Sequence, residues 1–192
     1  MTAPPTGRPM RADARRNYER IVTAAQEAFA EQGPDAPLEE IARRAGVGIG
    51  TLYRHFPSRE VLIEAVYRSS IEVLSARAHE LLESHTAVEA FEQWLREQVQ
   101  WVMDNRSLAT TMKAGMDKGS PTFTLCRTLI SDAADSLLRA AQESGEIRSD
   151  IEPRDLIRLG HGIGVACETT PDAAERLLAV TLDGLRTPGA GR

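Results

Sequence analysis

One twenty-residue run, Leu38 to Pro57 (LEEIARRAGVGIGTLYRHFP), constrains the fold more than any other part of the chain. With Leu38 as position one, Ile41 and Ala42 fall at four and five, Gly46 at nine, Val47 at ten and Leu52 at fifteen. This is the spacing at which two short helices cross at close range. A small residue is needed where their backbones meet, and Ala42 supplies it. The turn between them needs a positive φ, which Gly46 adopts without the clash a Cβ would bring. Ile41, Ala45, Val47, Leu52 and Phe56 then make a small core that fixes the crossing angle. One face of the second helix is left turned outward.

Around this pair the sequence reads as helix after helix, without strand-like alternation. Residues 1–12 read as a flexible basic arm. A first helix is expected from Asp13, burying Tyr18, Ile21, Val22, Ala25, Ala28 and Phe29 and ending at Gly33. Short helices follow over Pro37–Ala45 and Ile49–Phe56. Ser58 is placed to cap a long helix running towards Glu83. Thr86 and Glu89 have capping-box spacing, which predicts a helix to about Asn105. Leu108, Met112 and Met116 suggest a short helix of their own. Ser120-Pro121 reads as N-cap and first helical position of a helix that ends at Gly145. Pro153 opens the next, and Thr170-Pro171-Asp172 the last, which runs to near Arg186. The expected organisation is all-α: an arm over 1–12, a helix-turn-helix domain over 13–60 and a helical domain over 61–187.

Composition narrows the classes further. No run of about 18 apolar residues exists, so no membrane span is expected. The N-terminus is proline-rich and basic without an apolar stretch, which excludes a secretory signal in its usual form and points to the cytoplasm. Cys126 and Cys167 lack metal-ligand spacing and read as buried thiols. The net charge of −5 is unevenly spread: the first 60 residues carry nine arginines against eight carboxylates. Nucleic-acid binding needs a local positive face rather than a basic whole, and this distribution permits one.

Residues 15–67 resemble the N-terminal domain of the TetR family of repressors. The residues that carry the likeness are Ile21, Ala24, Ala25, Phe29 and Gly33, then EEIARRAGV, then GTLYRHFPSREVLIEAVY. Thr51 to Phe56 followed by Ser58-Arg59-Glu60 is the strongest part. Beyond residue 67 the likeness is one of length, helix count and two final capped helices.

The resemblance implies double-stranded DNA as partner, read as a palindromic operator by a homodimer. Gly48, Ile49, Gly50 and Thr51 would open the recognition helix against base edges, Thr51 through its hydroxyl and Ile49 against a thymine methyl. Tyr53, Arg54, His55 and Arg59 would meet phosphates. Arg43 and Arg44 would approach the backbone, with a solvated helix face the alternative for one of them. Arg11, Arg15 and Arg16 would place an arm near a groove. Two hydroxyls common in the family are missing, at Pro37 and Gly48, although free helix amides still attract phosphate.

The family's effector pocket lies among helices that here carry Phe91, Trp94, Gln98, Trp101, Met103, Met112, Met116 and Phe123. Core packing is the bland reading of each. Together they imply an adaptable apolar cavity for a small molecule, with Gln98, Thr111, Arg127 or His161 as polar anchors. The apolar stripes of the last two helices, Leu156, Ile163, Cys167, Leu177, Leu178 and Leu185 among them, would pair with a symmetry mate as a four-helix bundle.

Other motifs lead elsewhere and are weaker. His79 and His85 are six residues apart, on different helix faces, so a metalloprotease-like zinc pair is not expected. Gly160-His161-Gly162-Ile163-Gly164 lacks the preceding strand of a dinucleotide fingerprint; small residues there suit close helix approach, as at a dimer seam. No catalytic set, cofactor motif or metal cluster is legible, so an enzyme is not expected. The competing reading is an all-α small-molecule-binding protein whose helix-turn-helix is vestigial.

Overall fold

The computed structural model describes residues 8–105, 120–167 and 169–187, with side chains from Ala12 onward. Among them are eight helices: α1 (Arg8–Gln32), α2 (Leu38–Arg44), α3 (Ile49–His55), α4 (Arg59–Ser84), α5 (Ala87–Asp104), α6 (Pro121–Glu143), α7 (Pro153–Ala166) and α8 (Pro171–Leu185). The short helix expected around Leu108, Met112 and Met116 lies outside the described residues. The chain divides into two compact units, one up to Ser69 and one from Ser70. The division falls within α4, whose backbone is continuous through it.

In the first unit α1 packs on α2, and α2 on α3. Helix α1 starts at Arg8, five residues before the expected Asp13. Pro9 stands in its first turn, where a missing N–H costs nothing, and the pairs Arg16–Asp13 and Arg15–Glu19 follow along its surface. Ile21, Val22, Ala24, Ala25, Ala28 and Phe29 recur at helical spacing and are buried. Tyr18, expected in the core, is only half-buried: its hydroxyl accepts from Arg68 Nη2 at 3.1 Å while its ring lies 5.0 Å from that of Phe56. A phenol with a polar partner at its tip settles at the rim of a core. Gly33 ends α1 at φ +78°.

The second unit is built around α5, which packs against α6, α7 and α8. Its start is the expected capping box: Thr86 Oγ1 accepts from the Glu89 N–H at 3.3 Å, and Glu89 Oε2 accepts from the Thr86 N–H at 3.0 Å. Ser120 caps α6 in the same way, accepting from the Phe123 N–H at 3.1 Å. Thr170 precedes α8 as expected but makes no side-chain cap; Pro171 sets the first turn. Trp94 is fully buried, and its indole N–H donates to the Leu74 carbonyl of α4 at 2.9 Å. Arg77 of α4 makes a two-pronged ion pair with Glu97 of α5. The C-terminal end of α8 is tied down by backbone bonds from Arg148 to Leu185 and from Thr187 to Glu146, at 3.0 and 2.8 Å.

Candidate nucleic-acid interface

The turn between α2 and α3 is closed by the backbone itself. The Gly46 N–H donates to the Arg43 carbonyl at 3.1 Å and the Val47 N–H to the Ala42 carbonyl at 3.0 Å. This pair of bonds, with Gly46 at φ +63°, is a Schellman stop. Ile41, Ala42, Ala45, Leu52 and Phe56 are buried beneath it, and Val47 is half-buried. With Leu52 and Phe56 anchored inward, helical geometry turns Ile49, Gly50, Tyr53 and Arg54 outward. Ile49 and Tyr53, one helical turn apart on this face, are 37% and 46% exposed. A Cβ added at Gly48 or Gly50 would meet nothing within 4 Å, so the first turn of α3 is open on its outer side. Thr51 and His55 are half-buried at the margins of this face, the His55 ring 6.4 Å from that of Tyr18.

The arginines around this face divide by their partners. Arg44 bonds to Glu31 of α1 through both terminal nitrogens and to Glu40 through Nε, so it clamps α2 onto α1. Arg43 donates to both oxygens of Glu40, sharing Oε1 with Arg44, yet stays exposed. Arg59 donates from Nη1 to the Pro34 and Ala36 carbonyls, at 2.9 and 2.6 Å. These are carbonyls of the α1–α2 loop that no helix satisfies, and a guanidinium there secures the loop. Arg44 and Arg59, read from the sequence as phosphate contacts, are therefore engaged inside the unit. Arg54 remains exposed, with no carboxylate partner among the described residues. The clamp acts on its acids too: hydrogen bonds from Arg43 and then Arg44 hold the Glu40 carboxyl down at about 2, and Arg44 also lowers that of Glu31.

In the second unit, five of the six residues expected at a dimer seam serve the protomer's own core. Leu156, Ile163, Cys167, Leu178 and Leu185 are buried within it, and only Leu177 is exposed. An apolar stripe shows which side of a helix is covered, not by what. The outward side of α8 carries Leu177 and Val180, the latter 70% exposed. The glycine-rich stretch of α7 does serve close helix approach, but against α5: Gly160 and Gly164 face Gln98 and Val102. Of the residues expected around an effector, Phe91 and Trp94 are fully buried in the core, and Gln98 is buried with its Nε2 donating to the Ile157 carbonyl. Trp101, Phe123 and His161 are half-buried and Arg127 is exposed. Met112 and Met116 lie outside the described residues.

Residues 21–66 match the family described as bacterial regulatory proteins of the tetR family, and residues 86–187 match the SbtR-like transcriptional regulator C-terminal domain. A crystal structure of a TetR transcriptional regulator from Streptomyces coelicolor superposes with a TM-score of 0.75 at 41% identity, covering 88% of this chain and 98% of that one. This chain belongs to the TetR family of transcriptional regulators. The TetR regulatory protein of Mycobacterium vanbaalenii is similar over 93% of this chain and 100% of its own, with 32% identity and a TM-score of 0.77. HTH-type regulators of Staphylococcus aureus are 31% identical over 111 residues, 57% of this chain. The chain thus spans about 60% of the length of those curated relatives.

As a TetR-family member the chain departs from the common pattern where its sequence suggested. Pro37 and Gly48 occupy the N-cap positions of α2 and α3 in extended geometry, and neither supplies a side-chain cap. Helix α2 is instead held by burial and by the Arg44 clamp, and α3 by its buried anchor Leu52. Among the described residues, no helix is long and apolar enough to cross a membrane.

Proposed function

We propose that this TetR-family chain is a DNA-binding repressor, acting as a homodimer on a palindromic operator and released by a small molecule bound in its second unit. The observation that carries the proposal is the outward face of α3. Ile49, Gly50, Tyr53 and Arg54 stand exposed over the buried anchors Leu52 and Phe56, on a helix fixed by the Gly46 turn. An α-helix so presented fits the major groove. Ile49, Gly50 and Thr51 face base edges in this reading, while Tyr53, Arg54 and His55 face phosphates. Arg43 joins them only by sharing its charge with Glu40.

A twofold axis would bring two copies of α3 to the spacing of successive major grooves, roughly 34–36 Å. The outer side of α8, with Leu177 and Val180, supports an interface of this kind, and the remainder of the seam falls to the neighbouring side of α7. The effector is proposed to enter among α5, α6 and α7, near Trp101, Phe123 and His161, and to favour a state in which the two α3 helices no longer match the grooves. A few kcal/mol between the states is enough.

The uncapped starts of α2 and α3 favour the competing reading, a small-molecule-binding protein without DNA affinity. Fluorescence anisotropy with a duplex from the region upstream of its own gene decides between them. Salt-sensitive, saturable binding that is markedly tighter than the non-specific binding to a scrambled duplex supports the regulator. Absence of binding to either duplex at low salt supports the alternative.

A further inference from the structure

We infer that Arg20, on α1, is a further phosphate-contacting residue that extends the DNA interface beyond the helix-turn-helix; the inference rests on the DNA-binding reading above. Arg20 is exposed, and its Nη1 lies 3.6 Å from where a Cβ on Gly46 would stand. Its guanidinium therefore lies across the turn that leads, three residues later, into the first turn of α3. Nη2 donates to Asn17 Oδ1 at 2.6 Å, which fixes the group in place with a neutral partner.

That choice of partner separates Arg20 from its neighbours. Arg15, Arg16, Arg43 and Arg44 are each paired with a carboxylate, and Arg59 is spent on two carbonyls. Among the exposed arginines described in the first unit, Arg20 and Arg54 are the two that no carboxylate pairs with. A paired guanidinium carries its counter-charge with it, whereas one held by an amide keeps its full charge for an incoming anion. Arg20 also borders an open groove of about 710 Å³ between α1 and the end of α2, which gives solvent and ligand access to it. The carboxylates of that groove are Asp13 and Glu19, each held by its own arginine, and Glu27, two helical turns further along α1.

When the outer face of α3 enters a major groove, the residues just before its first turn lie at the lip of the groove, where the phosphates run. Arg20 and Arg54 then bracket the recognition helix, one at its entry turn and one in its last turn. The partner chemistry is the phosphodiester backbone, without regard to sequence.

The test is the salt dependence of binding. The full chain is titrated by anisotropy against a duplex of about 40 base pairs from upstream of its gene, and against a scrambled duplex. Each phosphate contact contributes about 0.9 to the slope of log affinity against log salt. Arg20→Gln is expected to reduce that slope by about 0.9 per protomer bound, by the same amount on both duplexes, with an unaltered melting temperature. Arg20→Lys should retain most of it. An unchanged slope with a lowered melting temperature would make Arg20 a brace for the Gly46 turn and overturn the inference. A loss confined to one duplex would make it a base contact, with the same consequence. Failure of the unsubstituted chain to bind either duplex would instead remove the DNA-binding reading on which the inference stands.

Discussion

The side-chain amide of Gln98 lies so close over Gly160 that a Cβ on the glycine would stand 2.4 Å from Gln98 Oε1. One turn along α7, a Cβ on Gly164 would stand 2.6 Å from Val102. Helices α5 and α7 thus meet through two glycine notches four residues apart, and Gln98 locks the first by donating to the Ile157 carbonyl at 3.1 Å. Gly160→Ala is expected to destabilise the second unit by about 1–3 kcal/mol, the usual cost of overfilling a tight core. Combined with Gln98→Ala it should cost less than the two changes separately, because the shortened side chain vacates the space. Denaturant melts of the three variants measure this; strict additivity would show that the two residues do not compete for one volume.

A second expectation concerns acid. Hydrogen bonds from Arg43 and Arg44 hold the folded Glu40 carboxyl at about 2, well below its ordinary value of 4.5. A carboxyl lowered in the folded state stabilises fully above its unfolded value and loses that contribution as the pH falls through its folded one. The clamp between α1 and α2 should therefore weaken progressively between about pH 4.5 and pH 2. In Glu40→Gln, melting temperatures recorded across that window should fall less steeply than in the parent. Parallel curves would mean that the clamp contributes nothing to the pH dependence.

Arg59 is expected to act on stability rather than on binding. Its two charge-assisted bonds to the Pro34 and Ala36 carbonyls hold the α1–α2 loop. Arg59→Ala should cost about 1.5–3 kcal/mol, since bonds to charged groups are the stronger class and the loop carbonyls lose their donor. Arg59→Lys should recover part of this. A variant that melts like the parent but binds DNA poorly would return Arg59 to the phosphate-contacting group.

The proposed dimer predicts that Leu177→Glu with Val180→Glu yields a monomer of unchanged helicity. Both side chains are exposed, so the protomer does not need them to fold. Sedimentation should show the mass halved and circular dichroism should show no loss. Retention of the parent's mass would place the interface elsewhere.

Much of this was legible in the sequence because it depends on backbone rules. Gly33, Gly46 and Gly145 all adopt positive φ at the predicted helix ends, and Thr86 and Ser120 cap the predicted helix starts. The inward residues of α3 followed from spacing alone. What escaped was the identity of partners across space. Leu156 and Ile163 form a stripe that would suit a dimer seam, yet they bury against their own chain. Arg44 and Arg59 carry the charge expected of phosphate contacts, but Glu31 and two loop carbonyls, thirteen or more residues away, claim them first. Glu40, at three- and four-residue spacing from Arg43 and Arg44, was the available signal for the clamp. Arg20 gave no signal, because its nearness to Gly46 exists only once α1 and α2 are packed.

Affinity for the upstream duplex at low salt decides whether α3 presents Thr51 and Tyr53 to DNA. Thr51→Ala and Tyr53→Ala should each weaken binding by about tenfold or more, a loss of about 1–3 kcal/mol per contact, while both melt like the parent. If the parent and both variants bind every duplex with the same weak affinity, the face of α3 does not read DNA.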